Sequence, residues 1–131
     1  MRQNSKVNLT CFWPLLRKIE PSLFPVSEKR EGIILYLLPV AVLETVWVLE
    51  KVYKLERKAI RELIEAILNT PEFRCEMGDV FKKAIKTYEE RNIKFADAVM
   101  GYWGLEKGFS TVYTYDEKDF KKLEGLEVKR P

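Results

Sequence analysis

The segment Ile33–Leu49, IILYLLPVAVLETVWVL, constrains the fold of this chain more than any other. Its uninterrupted apolar part, Ile33–Leu43, is 11 residues long and contains Pro39. A helical membrane span needs about 20 apolar residues, so no membrane segment is expected and the run must be buried in a protein core. Pro39 lacks an N–H and has a fixed φ, which suits the first turn of a helix and breaks a longer one. The expected reading is a buried strand or apolar lead-in over 33–38, followed by a helix through Ala41–Tyr53. Val42, Thr45, Val46, Leu49 and Val52 or Tyr53 would lie on one side of that helix.

Downstream, short apolar runs alternate with segments of helical period. Residues 56–68 place Ile60, Leu63, Ile64, Ile67 and Leu68 on one helical stripe. A short strand is expected over Phe73–Glu76, and Gly78-Asp79 reads as a turn and N-cap. The helix Val80–Arg91 carries a stripe of Val80, Phe81, Ala84, Ile85 and Tyr88, and Asn92 ends it. A second helix over 95–107 closes at Gly108. Then follow a strand in Ser110–Tyr115, a short helix over Glu117–Leu123 and a last strand, Leu126–Val128. Strands spaced by helices predict an α/β fold with a parallel sheet and helices on both faces. The first 32 residues are irregular, with Pro14, Pro21 and Pro25 after a strand-like Val7–Trp13.

With 131 residues, 47% of them hydrophobic, the chain is expected to form one domain rather than a disordered segment. It has no histidine, which excludes Ser-His-Asp and Cys-His catalysis and His-ligated zinc. Cys11 and Cys75 are too few for a four-thiolate site and read as reduced thiols. The opening residues lack the apolar stretch of a signal peptide, so a cytoplasmic location is expected. The net charge is +3, and residues 39–131 sum to zero, so charge alone does not argue for nucleic acid. Trp47 and Trp103 fall on apolar helix stretches and are expected in the core, while the basic residues alternate with acids as on a solvated face. Gly101, Gly104 and Gly108 read as helix packing and capping.

Any catalysis must then use carboxylates, hydroxyls, amines or a metal held by oxygen. Asp97 interrupts the apolar stretch FADAVM, Asp116 falls at the carboxyl end of a hydrophobic strand, and Glu44 lies inside an otherwise apolar helix. Ligands of parallel α/β sheets bind at that strand edge, and a buried carboxylate is costly unless paired or metal-bound. Three such acids suggest a shared site. Oxygen ligands without imidazole or thiolate select Mg²⁺ or Mn²⁺, which suits phosphodiester hydrolysis. Each acid also has a plainer reading: Asp97 as an N-cap, Asp116 as a turn or N-cap residue, Glu44 as an ion-pair partner.

The order VLETVWVL (42–49), FADA (95–98), TYDEKDF (114–120) and LEGLEV (123–128) resembles the PIN domain family, and most of all its VapC-type toxins. The resemblance covers about 38–128, with 1–32 as a divergent segment of a single domain spanning 1–131. It implies a three-layer α/β/α sandwich with a central parallel sheet, and Mg²⁺- or Mn²⁺-dependent endoribonuclease activity. It further implies an RNA substrate, a small antitoxin partner and a homodimer. Residue by residue, it makes Glu44, Asp97 and Asp116 the catalytic, metal-binding acids, with Thr114 and Asp119 in support.

One departure stands out. PIN domains open with a strand ending in Asp-Thr-Asn, whose aspartate binds metal. Here the corresponding segment reads KVNLTCFWPLLRK (6–18), Thr10 falls near the aspartate position, and no aspartate precedes Asp79. Three origins are open: a degenerate PIN domain, a frame displacement of residues 1–32, or replacement by another acid such as Glu20 or Glu28. The alternative function is a weak or inactive PIN-like module that binds RNA or an antitoxin-like partner without cleaving.

Overall fold

A computed structural model describes residues 34–131. The expected strand at Val7–Trp13, Thr10, Cys11 and Trp13 lie outside the described residues. The chain divides between Gly78 and Asp79 into two compact units.

In the first unit, β1 (Leu35–Tyr36) leads into α1 (Pro39–Lys51), then α2 (Arg57–Leu68) and β2 (Phe73–Arg74). The two strands pair in parallel, Leu35 opposite Phe73. The Leu35 N–H donates to Glu72 O at 2.8 Å and the Leu37 N–H to Arg74 O at 2.7 Å. Parallel strands need a long crossover, and α1 and α2 supply it. Leu38 is extended, as a residue before proline must be, and Pro39 occupies the first helical turn. Leu35, Leu37, Val42, Val46, Leu49, Ile60, Ile64 and Ile67 are buried. The strand is only two residues long, shorter than the apolar run that predicts it. Val52 and Tyr53 are exposed, because the helix stops at Lys51.

The second unit contains α3, which begins at the unit boundary (Gly78–Arg91), then α4 (Phe95–Glu106), β3 (Thr111–Tyr113), α5 (Glu117–Phe120) and β4 (Glu127–Lys129). Here too the strands are parallel, Thr111 opposite Glu127 and Tyr113 opposite Lys129, with α5 in the crossover. Gly78 and Asp79 lie inside α3, not ahead of it as a turn and cap. The stripe Val80, Phe81, Ala84, Ile85 and Tyr88 is buried as expected. Phe95, the first residue of α4, joins this core. Its ring stacks on Phe81 at 6.0 Å and meets Tyr88 edge-on at 6.1 Å. Asn92 adopts a positive φ of 55°, which ends α3. Gly108, with φ 87°, follows α4 in the conformation that glycine tolerates best. Gly101 packs against Leu123, whose Cδ1 stands where a Cβ would fall.

Both strand pairs are parallel and each is connected through helix, which establishes an α/β arrangement among the described residues. No helix among them is long and apolar enough to cross a membrane. Cys75 is half-buried. Trp47 and Trp103 do not lie in the core: they are 57% and 42% exposed. The reason is register. Val40, Glu44, Trp47 and Lys51 share the face of α1 opposite Val42, Thr45, Val46 and Leu49, which are buried. On α4, Met100 faces away from Phe95 and Ala98, and Trp103 lies at the edge of the buried face, next to Val99.

Candidate metal centre

Four side chains of the second unit meet where the start of α4 approaches α5. Lys94 is the N-cap of α4 and extended, with φ −60° and ψ 135°. Asp97 therefore sits in the first helical turn, three residues inside, and is not the N-cap. The positive end of the helix dipole faces a carboxylate in that turn. Asp116 occupies the N-cap position of α5, yet its side chain makes no capping hydrogen bond. Its carboxylate turns elsewhere: Oδ2 accepts from Lys94 Nζ at 3.2 Å. Thr114 shapes the approach, since its Oγ1 accepts the Asp116 N–H at 3.0 Å. The Thr114 N–H in turn donates to Lys129 O at 2.9 Å, which anchors this turn to β4.

Asp119 is the buried member of the group, at 6% exposure. Its Oδ2 accepts the backbone N–H of Lys94 at 3.0 Å, and its Oδ1 lies 4.0 Å from Lys122 Nζ. A buried carboxylate needs such partners. Neighbouring Phe120 and Leu123 are also buried and hold α5 against the core.

Asp97 lies within electrostatic reach of Asp119 and Asp116. Burial pushes the Asp97 carboxyl above its ordinary value of 3.8. The negative charges of Asp119 and Asp116 and the hydrogen bond with Asp119 raise it further, while Lys94 opposes the rise. Carboxyls within such reach cannot all ionise cheaply without a cation. Lys94 responds oppositely: its hydrogen bond to Asp116 and the charges of Asp116, Asp97 and Asp119 hold its ammonium above the usual lysine range.

Of the acids singled out by sequence, Asp97, Asp116 and Asp119 share this site. Glu44 belongs to the unit that ends at Gly78 and is exposed on α1, so the cost of a buried charge does not apply to it. Two residues rank differently than the sequence suggests. Asp119, expected only in support, is the buried acid of the group and is tied to the Lys94 N–H. Lys94 was not singled out at all.

Among the described residues, no group of three Asp, Glu or Cys side chains gathers closely enough to hold a metal ion. Carboxylate oxygens are the donors a hard divalent cation takes, but Asp97, Asp116 and Asp119 as placed here do not form such a group.

The chain is 33% identical over 105 residues to a VapC ribonuclease from Aquifex aeolicus (strain VF5), covering 80% of this chain and 76% of that protein. The chain belongs to the VapC family of PIN-type proteins. No family model and no solved structure matches it. Asp97, Asp116 and Asp119 come from α4, the turn after β3, and α5.

Proposed function

We propose that this protein is a divalent-cation-dependent endoribonuclease, the toxin of a toxin–antitoxin pair, which hydrolyses RNA phosphodiester bonds. The observation that carries this reading is that Lys94, at the start of the helix that bears Asp97, holds Asp119 through its N–H and Asp116 through its ammonium, in a member of the VapC family. Asp97, Asp119 and Asp116 would hold Mg²⁺ or Mn²⁺. Bound there, the ion supplies an activated water and stabilises charge on the phosphoryl oxygens. The protein's own residues prepare the place. The Lys94 N–H fixes Asp119, and Thr114 shapes the turn that presents Asp116.

Further parts of the reading rest on the family resemblance. They are Glu44 as another acid of the metal centre, and a three-layer α/β/α sandwich with a central parallel sheet as one domain over 1–131. A homodimer, a small antitoxin partner and a cytoplasmic location complete it. The test is cleavage of a structured RNA by the full chain with Mg²⁺ or Mn²⁺, with EDTA and Asp97→Asn as controls. Metal-dependent cleavage lost in Asp97→Asn is the expected result. Cleavage that persists in EDTA, or in folded Asp97→Asn, overturns the reading.

A second reading has its own support. No aspartate precedes Asp79, and no three acids gather tightly among the described residues. A catalytically weak module that binds RNA or an antitoxin-like partner fits these two facts. RNA retained without cleavage at saturating Mn²⁺ selects it.

A further inference from the structure

The strand β3 ends at Tyr113, and Tyr115 follows in the turn that leads to Asp116. Both side chains lie in water, Tyr113 65% and Tyr115 72% exposed, so neither builds the core. Tyr113 has a local reason to be where it is, because aromatic residues favour strands. Tyr115 has none: it stands in a turn, where glycine, asparagine, aspartate and serine are the usual residues. The backbone on either side of it is pinned. The Thr114 N–H donates to Lys129 O at 2.9 Å, and the Asp116 N–H donates to Thr114 Oγ1 at 3.0 Å. Tyr115 is therefore presented from a fixed turn at the carboxyl end of a parallel strand pair, the edge where such sheets bind ligands.

We propose that Tyr115, with Tyr113 before it, is a stacking platform for unpaired bases of single-stranded RNA at the rim of the acid site. The identity of the ligand rests on the ribonuclease reading above, and the platform itself needs no metal. Every base has a π-face, so an exposed aromatic ring holds single strands without choosing a sequence. Bases in a duplex are already stacked and paired, so the platform selects loops and ends. A tyrosine has only two side-chain torsions and loses little freedom when a base settles on it.

The charged surroundings favour a nucleotide over a protein partner. Asp116 follows Tyr115 in the chain, with the Lys94 ammonium 3.2 Å from its Oδ2, and Lys129 stands opposite Tyr113 in the ladder. An apolar protein surface docked here would have to cover these charges, which is costly. A base needs only the face of a ring, and its phosphate meets ammonium groups. Those ammonium groups are already engaged, Lys94 by Asp116 and Lys129 by Glu127 at 3.5 Å. Stacking is therefore the larger part of the attraction and phosphate contact the smaller. Phosphate contacts weaken steeply with salt, so the share due to Tyr115 persists at high salt.

The experiment is RNA binding by the full chain in EDTA, where no metal-dependent cleavage interferes. The probes are a dye-labelled single strand, its duplex and an abasic strand with the same phosphates, each at low and high KCl. The proteins are wild type, Tyr115→Ala, Tyr115→Phe and Tyr113→Ala, with thermal denaturation to establish that each is folded. The expected result is that wild type prefers the single strand to both other probes. Tyr115→Ala should lose roughly five- to a hundredfold in single-strand affinity at either salt concentration. Tyr113→Ala should lose less, and Tyr115→Phe, which keeps the ring, should bind as wild type does. A 2-aminopurine base in the strand should be quenched by wild type and not by Tyr115→Ala. Single-strand affinity unchanged in folded Tyr115→Ala, or an abasic strand bound equally well by wild type, overturns the platform and leaves RNA binding standing. Unchanged RNA affinity with self-association lost in Tyr115→Ala makes the tyrosines a protein contact and overturns it too. Absence of RNA binding by wild type overturns the RNA reading on which the platform rests.

Discussion

The carboxylate of Asp119 accepts the backbone N–H of Lys94 at 3.0 Å, joining two positions 25 residues apart in the chain. This contact ties the start of α4 to α5 and fixes the buried acid of the site. Asp119→Ala removes the acceptor and leaves the amide without it, which costs about 1–3 kcal/mol. Asp119→Asn keeps an acceptor oxygen and should cost less. Urea denaturation of the two variants checks the order. Equal stability of Asp119→Ala and wild type would show that the contact does not hold the fold.

Asp97 has the opposite effect on stability. Its folded pKa lies above the ordinary 3.8, so the folded protein holds this proton more tightly than the unfolded chain does. Stability therefore falls as pH rises through the window between the two values. Above that window an ionised Asp97 sits beside Asp119 and Asp116 at a cost. In metal-free protein at neutral pH, Asp97→Asn should raise the melting temperature. The gain should vanish below the ordinary carboxylate range, where wild-type Asp97 is protonated too. Melting curves across pH in EDTA test this. A variant less stable than wild type at every pH would contradict the sign.

Gly101 is a packing position. A Cβ there would run into Leu123 Cδ1 and reach 3.0 Å from Leu126 Cδ1. Overpacking of this kind costs about 1–3 kcal/mol. Gly101→Ala should lower the denaturation midpoint while leaving Mn²⁺ affinity of the folded protein unchanged. An unaltered midpoint would show that both leucines yield freely.

Helices were readable where side chains repeat on one face. Ile60, Ile64 and Ile67 on α2 and Val80, Phe81, Ala84, Ile85 and Tyr88 on α3 follow that period and are buried. The strands were readable in position but not in length, because β-pairing ends where partner backbone ends, which no local pattern encodes. Trp47 and Trp103 show a further limit. Apolar character puts them in the core, yet their helical register puts them outside. Asp97 was found because an acid in FADA stands out. The rank of Asp119 and the presence of Lys94 were not legible, since both depend on α4 and α5 meeting in space. Glu44 illustrates the converse, as an acid among apolar neighbours that is nonetheless exposed.

The missing early aspartate carries its own expectation. Thr10 falls nearest the position where PIN domains place it, and a hydroxyl supplies no charge. Thr10→Asp should tighten Mn²⁺ binding by roughly tenfold or more, since about 1.4 kcal/mol in a charge contact is worth one order of magnitude. Calorimetry at matched ionic strength checks it. No change would mean that the first 32 residues align differently or that another acid already serves.

The most direct measurement is the titration of the Asp97 carboxyl by carbon-detected NMR, with and without Mg²⁺. In metal-free protein its midpoint should lie above 3.8, and saturating Mg²⁺ should move it down, because the ion favours the charged form. An ordinary midpoint that Mg²⁺ leaves unmoved would contradict both the grouping of these carboxyls and the metal centre built on it.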